Sequence, residues 1–248
     1  LIGGTLIFGA DVNDNMATAK PYILVGAVVL LVAITLLFMK LPEIVPPTDE
    51  VRSDNKGDGV SIWKKKHFVL AVIAQFLYVA AQTGIFGFFI NYVLELFPDL
   101  STLQASRMLS IGGMGLFLIG RLTSSWFMKW MKPSRLLALF ALAAMACMIL
   151  VIMSLGMVSL IALCASMYFM SMMFPTIFAL GVHGLGDKTK QASSYIVMGV
   201  AGGAVSPLIM GYLGEQDMAA GFIVPLICFL FIFYYGLRQS RKAVNAAN

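Results

Sequence analysis

The stretch FPTIFALGVHGLGDKTKQASS, residues 174–194, places a proline inside an apolar segment and closes that segment with a glycine-rich basic turn. Pro175 lacks a backbone N–H and clashes with the preceding helical turn, so it predicts a helix that is kinked or locally unwound. In lipid, the freed backbone groups are tolerated where they line a cavity or contact a polar neighbour such as Thr176. The stretch therefore predicts either a broken helix beside a cavity or a purely structural kink.

The composition of the whole chain indicates that this segment lies in a membrane. Hydrophobic residues make up 60% of the 248 residues and charged residues 12%, whereas soluble domains contain about 45–50% and about 25%. A soluble domain of this length still exposes about a quarter of its unfolded surface, so it cannot hide this much apolar surface. The chain is therefore predicted to be an all-α membrane protein in contact with the lipid bilayer.

Seven runs are long enough to cross a bilayer, which requires about 17–25 apolar residues. They are residues 21–39, 67–94, 108–128, 136–155, 156–182, 191–213 and 218–237. Residues 1–10 have the character of the end of an eighth span. Because the chain begins without a methionine and inside this span, it is expected to be a fragment whose front is missing.

Lysine and arginine are distributed unevenly over the connections between these runs. Residues 40–66 hold six of them, 129–135 three, 187–190 two and 238–242 three, whereas the alternate connections hold none before the starts of helices. The positive-inside rule places connections rich in basic residues in the cytoplasm. The prediction is a multi-pass protein of the cell inner (plasma) membrane with a cytoplasmic C-terminus. The net charge of +5 then needs no nucleic-acid partner to explain it.

The long polar connection divides the chain into three parts. Residues 1–39 hold the end of one span and a complete span, residues 40–66 form a cytoplasmic linker, and residues 67–248 hold six spans and a cytoplasmic tail. Six spans after a long basic loop are typical of one half of a transporter built from two six-helix repeats. An independent seven-span protein such as a receptor is the alternative.

Ionisable side chains inside a membrane are costly and are normally functional. All twelve acidic residues of this chain, however, lie in connections or at the ends of spans. Cys147, Cys164 and Cys228 stand inside apolar runs and are interpreted as small buried hydrophobic residues. The spans thus hold no acid–base pair and no group of metal ligands. The sequence predicts no enzyme, no metal site and no cofactor.

Uncharged polar and aromatic residues follow one face of the run AQFLYVAAQTGIFGFFINY, residues 74–92. At about 100° per residue, five side chains share a single stripe: Gln75, Tyr78, Gln82, Phe86 and Phe89. Amides and a phenol supply donors and acceptors, and aromatic rings supply flat apolar surfaces, a combination that suits a neutral polyhydroxylated ligand such as a sugar. The alternative is that the polar residues only hold helices together.

Four further residues are interpreted by their positions in the spans. Gly199 and Gly203 lie four apart on one helical face, which favours close helix packing, and Pro207 predicts a kink. Arg121 lies near the cytoplasmic end of its span. It is predicted either to extend to the lipid headgroups or to act as a cytoplasmic latch to the next loop.

Three stretches give the chain a family resemblance. Residues 74–92, GLFLIGRLTSSWFMKWMKPSR (115–135) and the run that begins FPTIF at residue 174 resemble the C-terminal half of the fucose–proton symporter family, within the major facilitator superfamily. The run PYILVGAVVLLVAITLLFMKLP (21–42) resembles that family's sixth helix. The resemblance implies a twelve-helix carrier of monosaccharides that works by alternating access and is driven by a proton gradient. It assigns residues 1–10 to the end of helix five and residues 67–248 to helices seven to twelve.

The resemblance also carries over particular residues. Gln75, Tyr78 and Gln82 match the family's polar positions in helix seven, and the pair Pro175 and Thr176 matches its Pro-Thr in helix ten. The proton-coupling carboxylates are expected in the N-terminal half. Asn91 stands where an arginine is expected in fucose carriers, so the sugar stays open among fucose, glucose, galactose and an N-acetylhexosamine.

These observations predict the C-terminal half of a sugar transporter, with a monosaccharide and a proton as its partners. Gln75, Tyr78, Gln82, Asn91 and Thr176 are expected to form hydrogen bonds to the sugar, and Phe86 and Phe89 to stack on it. A membrane sugar sensor without transport and a drug exporter of the same superfamily are the alternatives. A drug exporter is expected to have a more apolar cavity and a membrane acid.

Overall fold

The computed structural model describes residues 19–38 and 62–245. The chain divides into two compact units, residues 1–61 and 62–248. In the first unit, helix α1 (Ala19–Phe38) has 20 residues, and at about 1.5 Å per residue it is as long as a bilayer core is thick. Its bounds agree with the predicted span 21–39, of which Met39 lies outside the described residues. The predicted span end at residues 1–10 and linker residues 40–61 lie outside the described residues.

The second unit contains six helices that are long and apolar enough to cross a membrane. They are α2 (Lys66–Leu96), α3 (Thr102–Phe127), α4 (Pro133–Ile152), α5 (Met157–Val182), α6 (Gly186–Leu213) and α7 (Met218–Arg241). Each coincides with one of the six predicted spans that follow the linker. No strand occurs in either described part of the chain.

Local sequence fixes where several of these helices begin. Ser101 and Gln104 form a reciprocal capping box at the start of α3, in which the Ser101 side chain accepts from the backbone N–H of Gln104. Pro133 occupies the first turn of α4, where its missing N–H has no cost. Asp217 caps α7 by accepting from the backbone N–H of Ala219 at 2.9 Å.

Helix α2 is the central helix of the bundle and packs against α5, α6 and α7. Helix α4 packs against α5 and α7, whereas α3 packs mainly against α5. Only 17% of the apolar window of α3 and 28% of that of α6 is buried, against 44–61% for the other four. Helices α3 and α6 therefore present the largest share of their surface outside the bundle.

Small residues let α2 and α6 approach closely. Gly199 lies against the backbone of Phe76, since an added methyl group would come within 3.1 Å of its nitrogen, and a methyl group at Gly202 would collide with the Phe76 carbonyl. Gly203 faces Thr83, whose hydroxyl oxygen would lie 2.8 Å from an added methyl group. Gly199 and Gly203 thus both lie in this contact. A 3₁₀ turn at Gly199–Ala201 interrupts α6 ahead of Pro207, which lies inside the following α-helix.

Candidate functional site

The polar stripe of α2 faces the interior of the bundle. Gln75 and Tyr78 are fully buried. A methyl group added at Gly199 of α6 would lie 3.2 Å from the side chain of Gln75. The Tyr78 ring meets the Phe174 ring of α5 edge to face, with centroids 6.0 Å apart. These two side chains are therefore covered by α5 and α6.

Gln82 and Phe86, at the middle of the same stripe, are only half-buried. The Phe86 ring lies 5.8 Å from the Phe117 ring of α3, again edge to face. The half-buried amide of Gln82 lies one helical turn before Phe86 on α2, and the Phe86 ring contacts α3. This is the part of the stripe that a ligand can reach in the described conformation.

Three residues expected to contact a sugar are placed differently. Phe89 is fully buried in the main apolar core, so its ring has no free face for stacking. Asn91 is exposed, and its sixteen-residue separation from Gln75 turns it about 160° around the helix, to the opposite face. Thr176 is buried, and its hydroxyl donates to the Met172 carbonyl at 2.8 Å. In the described conformation Phe89 and Thr176 are thus buried, and Asn91 lies on the face of α2 opposite Gln75.

Four buried side-chain atoms lack hydrogen-bond partners among the described residues. They are both amide atoms of Gln75, the hydroxyl of Tyr78 and the hydroxyl of Ser206. A buried polar group left unsatisfied costs about 1–3 kcal/mol, and such groups in native proteins call for a partner. These atoms therefore favour any state of the bundle in which they become hydrated or bound.

Helix α5 is broken one turn before Pro175. Its first α-helix, Met157–Met170, ends at a turn formed by Ser171 and Met172, and a second, Met173–Val182, follows. In a continuous helix the residue at position 175 would donate its N–H to the Ser171 carbonyl, which proline cannot do. The break therefore follows from the sequence, and it leaves the Ser171 carbonyl without its helical donor.

Arg121 of α3 supplies the missing donor. Its Nε donates to the Ser171 carbonyl at 3.3 Å, and its guanidinium carbon lies 5.3 Å from the centre of the Phe117 ring. The sequence predicts that Arg121 reaches either the headgroups or the next loop, and the structure adds a contact with the interrupted backbone of α5. Pro175 by itself predicts that the Ser171 carbonyl lacks its helical donor. Nothing in the neighbouring sequence indicates that Arg121 donates to this carbonyl.

Further polar contacts fix α3 against α5 beside this bond. The hydroxyls of Thr123 and Tyr168 are hydrogen-bonded at 2.9 Å. A methyl group at Gly120 would come within 2.5 Å of the Tyr168 carbonyl oxygen, so only glycine allows this close approach. The two helices are thus held together on both sides of Arg121.

A cleft of about 320 Å³ opens at this contact. Its walls are formed by Arg121, Ser124, Ser125, Met128, Pro133, Met172, Pro175, Thr176 and Ala179. The cleft therefore brings together Arg121 and the Pro175–Thr176 pair, which were singled out in two separate stretches of the sequence. The aromatic contacts from Phe86 to Phe117, and from Phe117 to Arg121, connect it with the half-buried part of the α2 stripe.

The site can bind a neutral polar ligand through an amide, hydroxyl groups and aromatic rings. Within residues 19–38 and 62–245, no three or more His, Cys, Asp or Glu side chains come together as metal ligands would. The fold and site define a multi-pass helical membrane protein. Its bundle carries a broken helix beside a polar and aromatic surface, as transporters do.

The chain belongs to the Major Facilitator Superfamily, whose family model matches residues 2–207. It is 34% identical to the L-fucose-proton symporter of Escherichia coli over 241 residues, which are 93% of this chain and 53% of that protein. It is 30% identical to the glucose/galactose transporter of Brucella abortus over 249 residues, 98% of this chain and 60% of that protein. These similarities confirm the predicted family resemblance.

A crystal structure of a Major Facilitator Superfamily transporter, FucP, in the outward conformation matches the fold with a TM-score of 0.74. The sequence identity is 35%, and the match covers 90% of this chain and 55% of that one. The predicted fold class is thereby confirmed. The chain spans about half the length of the relatives it matches.

Proposed function

We propose that this chain supplies the C-terminal six-helix bundle, with one preceding helix, of a monosaccharide transporter that works by alternating access in symport with protons. The proposed organisation keeps residues 1–39 in the N-terminal bundle, 40–66 as the linker and 67–248 as the C-terminal bundle. Support comes from relatives named as a fucose–proton symporter and a glucose/galactose transporter. The observation that carries the proposal is the polar and aromatic surface of Gln82, Phe86 and Phe117 beside the broken helix α5.

The chemistry of this surface fits a monosaccharide. A sugar hydroxyl both donates and accepts, as does the amide of Gln82, and the C–H faces of a sugar ring stack on aromatic rings. The unpartnered atoms of Gln75 and Tyr78 lie on the same face of α2, and in a more open state of the bundle they would add hydrogen bonds to the same ligand. The proposed substrate class is fucose or a hexose of the glucose and galactose type.

Proton coupling and membrane orientation complete the proposal. All twelve acidic residues of this chain lie in connections or at span ends, so the carboxylates that carry protons are assigned to the N-terminal bundle. The basic connections support a cytoplasmic linker and C-terminus in a protein of the cell inner membrane. Closure of the site then requires rocking of the two bundles against each other.

The test uses the full-length transporter that contains this chain, reconstituted in vesicles with an imposed proton gradient. Uptake of radiolabelled fucose, glucose and galactose is measured with and without an uncoupler. Gln82→Ala should reduce uptake at least tenfold, because loss of the Gln82 amide leaves a sugar hydroxyl without its hydrogen-bond partner. Gln216→Ala, at an exposed residue of a connection, serves as the matched control and should transport normally.

The outcomes separate the alternatives. Accumulation that collapses with the uncoupler supports symport, whereas accumulation of none of the three sugars, despite their binding, identifies a sensor. Normal uptake by the Gln82→Ala variant would remove Gln82 from the site. Export of an apolar cation in place of sugar uptake would assign the protein to the drug exporters of the superfamily.

A further inference from the structure

The segment Ile62–Lys66, here called the strap, lies at the start of α2 and packs against the α5–α6 turn. It forms a 3₁₀ turn, Ile62–Lys64, followed by Lys65 and the first residue of α2. Ile62 is only 4% exposed. Its side chain fills a second apolar cluster, separate from the main core, together with Phe68, Leu185, Ala192 and Ile196.

Two further contacts hold the strap in place. The Trp63 ring lies edge to face with the Tyr195 ring of α6, with centroids 5.0 Å apart, and with the Phe68 ring at 5.5 Å. The ammonium group of Lys65 donates to the Gly184 carbonyl at 3.2 Å. Gly184 has a φ of +71°, a conformation that favours glycine and turns this carbonyl into position. The Trp63 ring thus holds the strap against α6, and the Lys65 ammonium group holds it against the α5–α6 turn.

This docking assembles a basic patch from two distant parts of the sequence. Lys64 and Lys66 of the strap are exposed, as is Lys190 near the beginning of α6, and Lys188 lies in the 3₁₀ turn that opens α6. Asp187 is the acidic residue of this 3₁₀ turn. The lysines lie at one end of α2 and α6, where these membrane-spanning helices meet the headgroup layer. Trp63, 48% exposed, has the amphipathic ring that favours this depth.

We propose that the strap and the α5–α6 turn form a binding site for the phosphate of an anionic membrane lipid. Juxtamembrane lysines are attracted to anionic headgroups, and several of them at one helix end are typical of lipid recognition. The lipid phosphate pairs with the ammonium groups of Lys64, Lys66 and Lys190, while the Trp63 ring packs beside the first carbons of its chains. A lipid bound here ties the linker to α5 and α6 in addition to α2.

Each ammonium group that pairs with the lipid phosphate is expected to contribute about fivefold in affinity, so the three exposed lysines together contribute roughly 100-fold. The experiment uses the full-length transporter in nanodiscs of phosphatidylcholine with increasing phosphatidylglycerol. Bound phosphatidylglycerol is counted by native mass spectrometry after release from the nanodisc.

A triple variant, Lys64→Gln, Lys66→Gln and Lys190→Gln, should lose about 100-fold in apparent affinity for phosphatidylglycerol. The matched control is Lys129→Gln, Lys132→Gln and Arg135→Gln, which removes three exposed positive charges at the same end of the bundle, between α3 and α4. These three charges attract the leaflet as a whole and do not pair with one bound lipid. Because only lipid that stays on the released protein is counted, this control should lose no more than about fivefold. Equal losses in both triple variants would show only general attraction to the leaflet and would overturn the site.

A third variant tests whether lipid binding needs the docked strap as well as the positive charges of the lysines. Tyr195→Ala keeps every lysine and removes the ring that holds Trp63, so it should reduce the affinity at least fivefold by releasing the strap. Unchanged binding by Tyr195→Ala would also overturn the proposal. Inorganic phosphate should displace the lipid no more than sodium chloride does at the same ionic strength, whereas a greater displacement by phosphate would assign the patch to a soluble anion. Retained sugar binding in each variant shows that the bundle is folded.

Discussion

Replacing Arg121 with glutamine tests whether this side chain supports the broken helix α5. The change removes the Nε donor that lies 3.3 Å from the Ser171 carbonyl and the charge above the Phe117 ring. A hydrogen bond from a charged group is worth about 1.5–3 kcal/mol, and an exposed cation above a ring about 0.5–1 kcal/mol. Because Arg121 is itself exposed, the lower end of the first range applies, and we expect the loss to be about 2 kcal/mol.

The loss of stability caused by Arg121→Gln should depend on Pro175. Thr176 already donates its backbone N–H to the Met172 carbonyl at 3.2 Å, so the adjacent bond from position 175 to Ser171 is missing only because proline has no N–H. Pro175→Ala supplies that N–H. In this background Arg121→Gln should cost only about 0.5 kcal/mol, the part due to the Phe117 ring. The two substitutions should therefore show a coupling energy of about 1–2 kcal/mol.

The assay is the unfolding free energy of the full-length protein and its variants in detergent, followed by circular dichroism. Arg107→Gln is the control, because Arg107 is an exposed arginine of the same helix and should change stability by less than about 0.5 kcal/mol. Additive effects of the Arg121 and Pro175 substitutions would refute the assigned hydrogen bond.

Two further predictions concern packing within the bundle. Gly202→Ala places a methyl group against the Phe76 carbonyl, so it should destabilise the protein by about 1–3 kcal/mol, measured by thermal unfolding. The same substitution at Gly87, where no atom lies within 4 Å of an added methyl group, should be neutral or stabilising, and an equal loss at both glycines would contradict the assigned contact. Tyr92→Phe removes the hydroxyl that donates to the Val151 carbonyl at 2.8 Å. It should cost about 1 kcal/mol in chemical unfolding, and unchanged stability would show that this bond contributes nothing.

The stripe of α2 illustrates how far the sequence predicts a site. The spacing of Gln75, Tyr78 and Gln82 correctly places them on one face, because that angle depends only on the helix's own geometry. It could not show that α5 and α6 cover Gln75 and Tyr78 while Gln82 stays half-buried. Nor did it distinguish Phe89, which lies in the core, from Phe86, which lies beside α3. Which neighbour covers a residue depends on the packing of other helices.

The sequence by itself determined the membrane class, the number and approximate positions of the spans after the linker, and that Pro175 kinks or breaks α5. Each of these follows from local properties: the length of an apolar run, the charge of a connection and the missing N–H of Pro175. The tertiary structure alone decided that Arg121 meets Ser171, 50 residues away, and that Lys65 meets Gly184, 119 residues away. Such partners are fixed by helix packing, and no residue carries information about them in its own neighbourhood of the chain.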